Sequence, residues 1–435
     1  GPHYRIKNVR NDPPPLQDIP PGLVTELEIA GPAKALGLDR DRYPDAKFLA
    51  ALTFKPVRAE PTGLLDFSRT FGRLGPAPDC ILARTRIVSG SEQVKKYRLG
   101  YSDEVTVFLN GRPLFSGDST YRYRDPSFLG ILGLFDSVYL PLRKGENELL
   151  LLVTENMGGW GVMLQDASAV YEAPGLKHAW STNAEFRLPE TALYDPASEA
   201  LYVSNYDGFN PSGAEAKQSI AKLSPDGKVL NPQWAVGLRN PTGLAVSQGV
   251  LFVVEPAGLA VVELSTGKLL TRHPIPGAAF LNDIAAGPDR ALYLSDSRRG
   301  VIYRFADLIA EEWLSGPEIG RPNGLHVLGN ELLVGNNGDG RLKAVDLKTK
   351  EVRTVAALGQ GIIDGIEDDG KGALLVSHNE GRLFRVTLDG KVTKLLDTTV
   401  VGVSLANFAF LPEAGLLVFP TWTDGRVVAY SLSSP

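Results

Sequence analysis

Sulfur and imidazole are scarce in this chain. Its 435 residues include one cysteine, two methionines and five histidines. The lone Cys80 excludes an intramolecular disulfide and any metal site built on two thiolates. It falls in a strand-like stretch and reads as inert core. Long apolar runs are also missing. The longest, such as Leu149 to Val153, are strand-sized, far short of the roughly 20 residues of a membrane-spanning helix. There is no excess of positive charge. Lys and Arg number 45 against 50 Asp and Glu, a net −5, which argues against a nucleic-acid partner. Neither a Gly-x-Ser-x-Gly elbow nor a glycine-rich phosphate loop is present. What the chain has in plenty is glycine (46) and proline (31). That composition predicts many turns and many short strands.

Residues 1–19 read as a tag remnant, Gly1-Pro2-His3, followed by a proline-rich leader. A seam near Ala173-Pro174-Gly175 then divides an irregular β region, residues 20–175, from a repeating one, residues 176–435. In the first region Val24–Ile29, Cys80–Val88, Val105–Leu109, Ser137–Leu142, Glu148–Thr154 and Trp160–Leu164 carry strand signals. Asn110-Gly111 is a hairpin turn dipeptide. An antiparallel β-sandwich is expected. The stretch Ser102 to Val162, with its VFLNG hairpin, KGEN turn and GGWG, resembles the galactose-binding-like jelly roll attached to family 2 glycoside hydrolases. That resemblance implies a jelly-roll fold and a carbohydrate-binding-like module. With the proline leader it favours a periplasmic or extracellular location over a cytoplasmic one. Trp160 reads as a core residue rather than a sugar platform.

The second region repeats. A polar residue precedes an apolar strand at Glu190, Asn240, Asn282, Asn323, Asp364 and Asn407, with spacings of 50, 42, 41, 41 and 43 residues. A period in the low forties with about four strands per unit is the signature of a β-propeller, here with six blades. The fold class is therefore all-β, a sandwich followed by a six-bladed propeller. The sixth unit offers only three strands before the chain runs out, so Trp180 to Leu188 is expected to supply the fourth and clasp the ring.

First strands line a propeller's channel, so the six polar residues are expected to ring the axis at one end. Two carboxylates and four amides are all oxygen donors. Crowded carboxylates repel unless a proton or cation intervenes, and hard oxygen ligands suit Ca²⁺, Mg²⁺ or Mn²⁺. Asn-Pro-Thr-Gly, Pro-Asn-Gly and Asp-Gly are equally ordinary turn chemistry, in which the side chain bonds its own backbone. Glu190, which is not a turn former, and Asn282-Asp283, which lacks the glycine, favour the cation.

The same pattern resembles the gluconolactonase/regucalcin (SGL) superfamily of six-bladed propellers. Glu190, Asn323 in Arg-Pro-Asn-Gly, Asp364 in Asp-Gly and Asn282 in Asn-Asp match its motifs in order. The resemblance implies one divalent cation held by Glu190, Asn282, Asn323 and Asp364, calcium first, with Mg, Mn or Zn as alternatives. It also implies Asp364 as catalytic base. Phe280 stands where the sugar lactonases of that family carry an arginine, which points to a less polar substrate. The loops after the second strands are expected to form the mouth. Substrate contacts are expected from Tyr206, Asn240, Phe280, His378, Asn407 and Trp422, with the loop of residues 205–217 as a lid.

The function expected from these readings is metal-dependent hydrolysis of a small-molecule lactone or ester, possible carbohydrate derivatives included. The cation would polarise the carbonyl and acidify a water. The competing reading is a non-catalytic carbohydrate- or ligand-binding protein whose propeller the metal stabilises.

Overall fold

The structure is a computed structural model. It describes residues 3–5, 21–34, 42–72, 79–120, 123, 131–156, 159–169, 173, 175–183, 185–206, 218–399, 403–422 and 425–432. The chain divides into two compact units, Gly1–Val170 and Tyr171–Pro435. Among the described residues no helix is long and apolar enough to cross a membrane.

The first unit is a two-sheet sandwich. One antiparallel sheet runs in the order Lys55–Arg58, Glu26–Lys34, Asp79–Ser89, Gly145–Glu155, Glu104–Leu109, Arg112–Asp118. The other runs Asp136–Leu142, Gln93–Ser102, Gly161–Asp166, Leu65–Asp66. Alternate residues of both sheets meet in one core, Ile81, Val107 and Leu151 from the first and Leu99, Leu140 and Val162 from the second. This is the period-two burial of a strand with one face inward. Trp160 is fully buried there, edge-on to Phe67, its indole N–H donating to the Gly72 carbonyl at 3.3 Å. Cys80 is buried on the opposite face of the larger sheet, in a cluster with Phe108 and Leu150 under the short helix Ala46–Ala50. Strand Gln93–Ser102 carried no sequence signal because Lys95, Lys96 and Arg98 interrupt its apolar residues. Only Tyr97, Leu99 and Tyr101 face the core.

The second unit consists of antiparallel four-stranded arrays in chain order. Blade 1 is Pro189–Asp195, Ala200–Asn205, Ser219–Leu223 and Val229–Val236. Blade 2 is Leu244–Ser247, Val250–Glu255, Gly258–Glu263 and Leu269–Pro274. Blade 3 is Leu281–Ala286, Leu292–Asp296, Val301–Ala306 and Ile309–Ser315. Blade 4 is Pro322–Leu328, Glu331–Gly338, Arg341–Asp346 and Val352–Ala357. Blade 5, joined to blade 4 by a short bridge, is Gly361–Asp368, Ala373–His378, Arg382–Thr387 and Val392–Asp397. Blade 6 combines Ala409–Leu411, Leu416–Thr421 and Arg426–Leu432 with an outer strand from the start of the unit, Leu176–Ser181. That clasp lies a few residues upstream of the expected Trp180–Leu188. Beyond it Thr182 N–H still bonds Val427 O and Phe186 N–H bonds Gly425 O, so contact with the end of the last strand reaches Phe186.

A cavity of about 290 Å³ is lined by the inner strands of all six blades, through Thr191, Leu244, Asp283, Leu325, Glu367 and Phe408. Six consecutive sheets sharing one central cavity, with the last sheet completed by the first strand, make a closed six-bladed propeller.

Candidate functional site

Five inner strands carry the expected polar residue at or near their start, but in blade 2 Asn240 lies four residues before Leu244–Ser247, and Thr242, which precedes Gly243 as Asn323 precedes Gly324, takes its place. Neighbouring inner strands touch there. Gly243 N–H donates to Asn282 O at 2.9 Å, and Asn407 N–H to Glu190 O at 3.1 Å. The glycine after the polar residue makes this approach possible. A Cβ on Gly324 would collide with the Asp364 carbonyl oxygen, and one on Gly243 would lie 2.7 Å from the Asp283 Cα. A serine on the second strand adds a further tie. Ser295 Oγ accepts from Asp283 N–H at 3.1 Å and donates to Asn323 O of the next blade at 2.6 Å. Ser377 does the same between Gly365 N–H and Ala406 O.

Glu190, Asn323 and Asp364 are buried, and Asn282 is partly so. Thr191 Oγ1 donates to Glu190 Oε2 at 2.7 Å, and Asn379 Nδ2 donates to Asp364 Oδ2 at 2.7 Å. Asn323 Oδ1 is buried with no hydrogen-bond partner. Burial pushes the Glu190 carboxyl well above its ordinary range, and Asp364 and Asp283 push it further. Burial raises Asp364 too, against the Asn379 hydrogen bond. Among the described residues no group of three or more His, Cys, Asp or Glu side chains is arranged to hold a metal. The expected set has two carboxylates and two amides.

Asp283, beside Asn282, was not singled out by sequence. It is buried, with Oδ1 accepting from Asn407 Nδ2 at 3.0 Å and Oδ2 from Leu325 N–H at 2.7 Å. Burial still pushes it up to about 8. Glu367 lines the central cavity 4.0 Å from His326 Nδ1, and burial followed by Asp283 raises it to about 8.

The expected substrate contacts divide. Tyr206 and Trp422 come together, ring centroids 5.3 Å apart. Burial raises the Tyr206 hydroxyl, Glu190 raises it further and Arg298 lowers it, so Tyr206 lies within electrostatic reach of both. Phe280 lies under the Arg298 guanidinium, 5.7 Å from ring centroid to Cζ. Asn240, with positive φ, is tied to Gln218, whose Nε2 donates to Asn240 Oδ1 and whose Oε1 accepts from Asn240 N–H. Asn407 is tied to Asp283. In the expected lid, residues 207–217 lie outside the described residues.

His378 is fully buried rather than on an open rim. It pairs with Ile363 in register, as Asn205 pairs with Pro189, Asp296 with Leu281 and Asn336 with Pro322. Second-strand ends thus form another set of buried polar residues, Asn205, Glu255, Asp296, Asn336, His378 and Thr421. Several hold loop backbone: Asn205 Oδ1 accepts from Arg187 N–H, Glu255 Oε1 from Arg239 N–H, and Asp296 from four loop N–H groups. His378 Nδ1 lies 2.7 Å from Glu380 Oε2, and burial lowers its pKa, which keeps the ring neutral near pH 7. The sequence places these six at the starts of the expected mouth loops but does not mark them as a buried set, because they share a position and polarity and no common residue type.

No family model matches the chain, and no curated protein does. Solved structures do. A gluconolactonase of Xanthomonas campestris matches at 18% identity and TM-score 0.47, over 59% of this chain and 89% of that one. A virginiamycin B lyase variant of Staphylococcus aureus matches at 12% and 0.45, over 59% and 99%. The WD40 β-propeller domain of Doa1 matches at 15% and 0.45, over 56% and 78%. The six-blade assignment rests on the strand pairing and the shared cavity.

Proposed function

We propose that the propeller is a divalent-cation-dependent hydrolase of small lactones or esters. Glu190, Asn282, Asn323 and Asp364 would hold the cation, calcium by preference for four oxygen donors without thiolate or imidazole. The observation that carries this reading is the buried, partnerless Asn323 Oδ1 in the ring that also holds the mutually repelling carboxylates Glu190 and Asp364. A buried acceptor without a donor costs about 1–3 kcal/mol, so an oxygen left in that state points to an occupant. A bound divalent cation supplies Lewis acidity towards a carbonyl oxygen.

The chain's own residues do the rest. Asp364 takes a proton from the attacking water. Asn379 fixes one carboxylate oxygen of Asp364 and leaves the other for that proton. Tyr206, Trp422 and Phe280 wall the site with rings, which suits a substrate with an apolar face.

The test is a panel of lactones and esters assayed with Ca²⁺, Mn²⁺ and Zn²⁺ and with chelator. Chelator-sensitive turnover, lost in Asp364→Ala while the circular dichroism spectrum is kept, supports the hydrolase. Chelator-sensitive melting with no turnover on any substrate would mark a metal-stabilised binding platform instead.

A further inference from the structure

The edge of the propeller that carries the polar ring has an unusual charge arrangement. Arg298 follows the second strand of blade 3, and Arg321 directly precedes the inner strand of blade 4. Both side chains are exposed. Their loops are stitched together. Arg321 Nε donates to the Ser297 carbonyl at 3.4 Å, and Ser297 Oγ donates to the Pro322 carbonyl at 2.6 Å. The two arginines thus stand on loops tied to each other, next to the inner strands Leu281–Ala286 and Pro322–Leu328.

Three other arginines at this edge have carboxylate partners, whereas the exposed Arg239 has none among the described residues. Arg299 pairs with Glu312, Arg341 lies 4.0 Å from Asp339 and Arg382 lies 3.8 Å from Asp397. The exposed acids Glu185 and Glu318 also belong to this edge, as does Glu380, which faces His378. Among the described residues no carboxylate pairs with Arg298 or Arg321. Arg298 caps the Phe280 ring and reaches Tyr206 electrostatically, so it overlooks the site rather than the outer surface.

Two arginines on adjoining loops without a carboxylate partner, one of them over a ring of the aromatic wall, can together receive an external oxyanion. The buried acids of the ring lie beyond them, so each added negative charge on a ligand meets more repulsion. A singly charged group suits the seat better than a dianion.

We infer that the substrate carries a carboxylate set apart from its lactone or ester carbonyl, and that Arg298 and Arg321 seat this carboxylate while the carbonyl meets the polar ring. This inference deepens the hydrolase reading and rests on it for the reaction. The seat itself can be tested without turnover.

The experiment uses matched pairs on the full chain: a carboxymethyl-substituted lactone and its carboxamide, and the corresponding unreactive lactams. A phosphonomethyl lactam is the dianion arm. For the wild type the carboxylate lactone should have a kcat/KM about tenfold above the carboxamide, carried by KM, as expected for a charge-assisted bidentate contact. High salt should shrink the ratio. In Arg298→Gln/Arg321→Gln the ratio should fall close to one. By calorimetry the carboxylate lactam should bind more tightly than the carboxamide lactam and the phosphonate, and the double variant should lose that preference. Equal KM values for both lactones, or equal lactam affinities, would overturn the inference and leave the hydrolase reading standing. Preferential binding of the carboxylate lactam with no lactone hydrolysed would keep the seat and overturn the hydrolase reading. Tighter binding of the phosphonate would overturn the carboxylate assignment.

Discussion

Asp296 and Asp364 are both buried aspartates of the propeller, and their surroundings differ. Asp296 ends a second strand and accepts from the backbone N–H groups of Ala279, Phe280, Arg298 and Arg299. Asp364 opens an inner strand and accepts from the Asn379 side chain. The glutamates divide the same way. Glu255 holds Arg239 N–H and the Arg272 guanidinium, whereas Glu190 holds the Thr191 hydroxyl beside a second carboxylate. A carboxylate filled by peptide N–H groups or a guanidinium is committed to architecture. One pushed upward by burial and by its neighbours stores repulsion that a ligand can relieve. Two sets of polar residues at one edge of the same blades thus divide into a set that shapes the loops and a set whose charges are left under-compensated.

The largest effect should come from breaking the second set. Asp364→Asn keeps the shape and the burial but removes the proton acceptor. Turnover should fall about a thousandfold, within the range of general-base deletions. The melting temperature of the chelated variant should not fall, because a repelling charge has gone. A variant that unfolds would place Asp364 with Asp296 instead. The mirror experiment is Asp296→Ala. It leaves four loop N–H groups without their acceptor and should cost about 3 kcal/mol in denaturant unfolding. Turnover per folded molecule should fall far less than in Asp364→Asn.

The cation sharpens the same division. At a free concentration about 100 times its Kd, a ligand of the native state adds about 2.7 kcal/mol. For a unit of this size that is a melting shift of roughly 5–10 °C, erased by chelator. The pH dependence of the chelated protein has a definite sign. Asp283 and Glu367 hold their protons up to about 8 when folded, against ordinary carboxyl values of 3.8 and 4.5, and Glu190 shifts the same way. The folded state therefore binds more protons than the unfolded one across that window, and stability falls as pH rises through it. The chelated protein should melt higher near pH 5 than near pH 8. Equal melting temperatures would mean that water or solute ions already relieve the axis.

The fold was legible because closing a ring forces repetition. One polar residue per inner strand recurs every forty-odd residues, and the glycines behind Asn323 and Asp364 follow from strands that approach too closely for a Cβ. Glu190, Asn282, Asn323 and Asp364 could be found in the same way. Less regular features could not. Asp283 gains its place from the partners Leu325 and Asn407, which lie 42 and 124 residues away. The buried environment of His378 comes from register with Ile363, and histidine at that position is matched by asparagine, glutamate, aspartate or threonine in other blades. In the sandwich, strand Gln93–Ser102 was hidden by Lys95, Lys96 and Arg98, which interrupt its apolar residues.

The smallest predicted effect probes the joint between the two sets. Ser295 sits between them, one residue before Asp296, and links Asp283 N–H to Asn323 O. Ser295→Ala removes one hydroxyl that both accepts and donates. Its expected cost is about 1 kcal/mol, because other blades manage without the hydroxyl. In blade 2 the equivalent residue is Val254, whose own N–H bonds Gly243 O while its carbonyl accepts from Thr242 N–H. In blade 4 it is Gly335, packed against Ile363 of the next blade. The serine is thus one of several ways to hold adjacent inner strands at a fixed spacing. Its loss should be felt at Asn323, whose carbonyl it positions, more than in global stability. Ser295→Ala should weaken calcium protection against melting by more than it lowers the melting temperature of the chelated protein. A fall of equal size with and without calcium would assign Ser295, and the spacing it sets, to the architectural set alone.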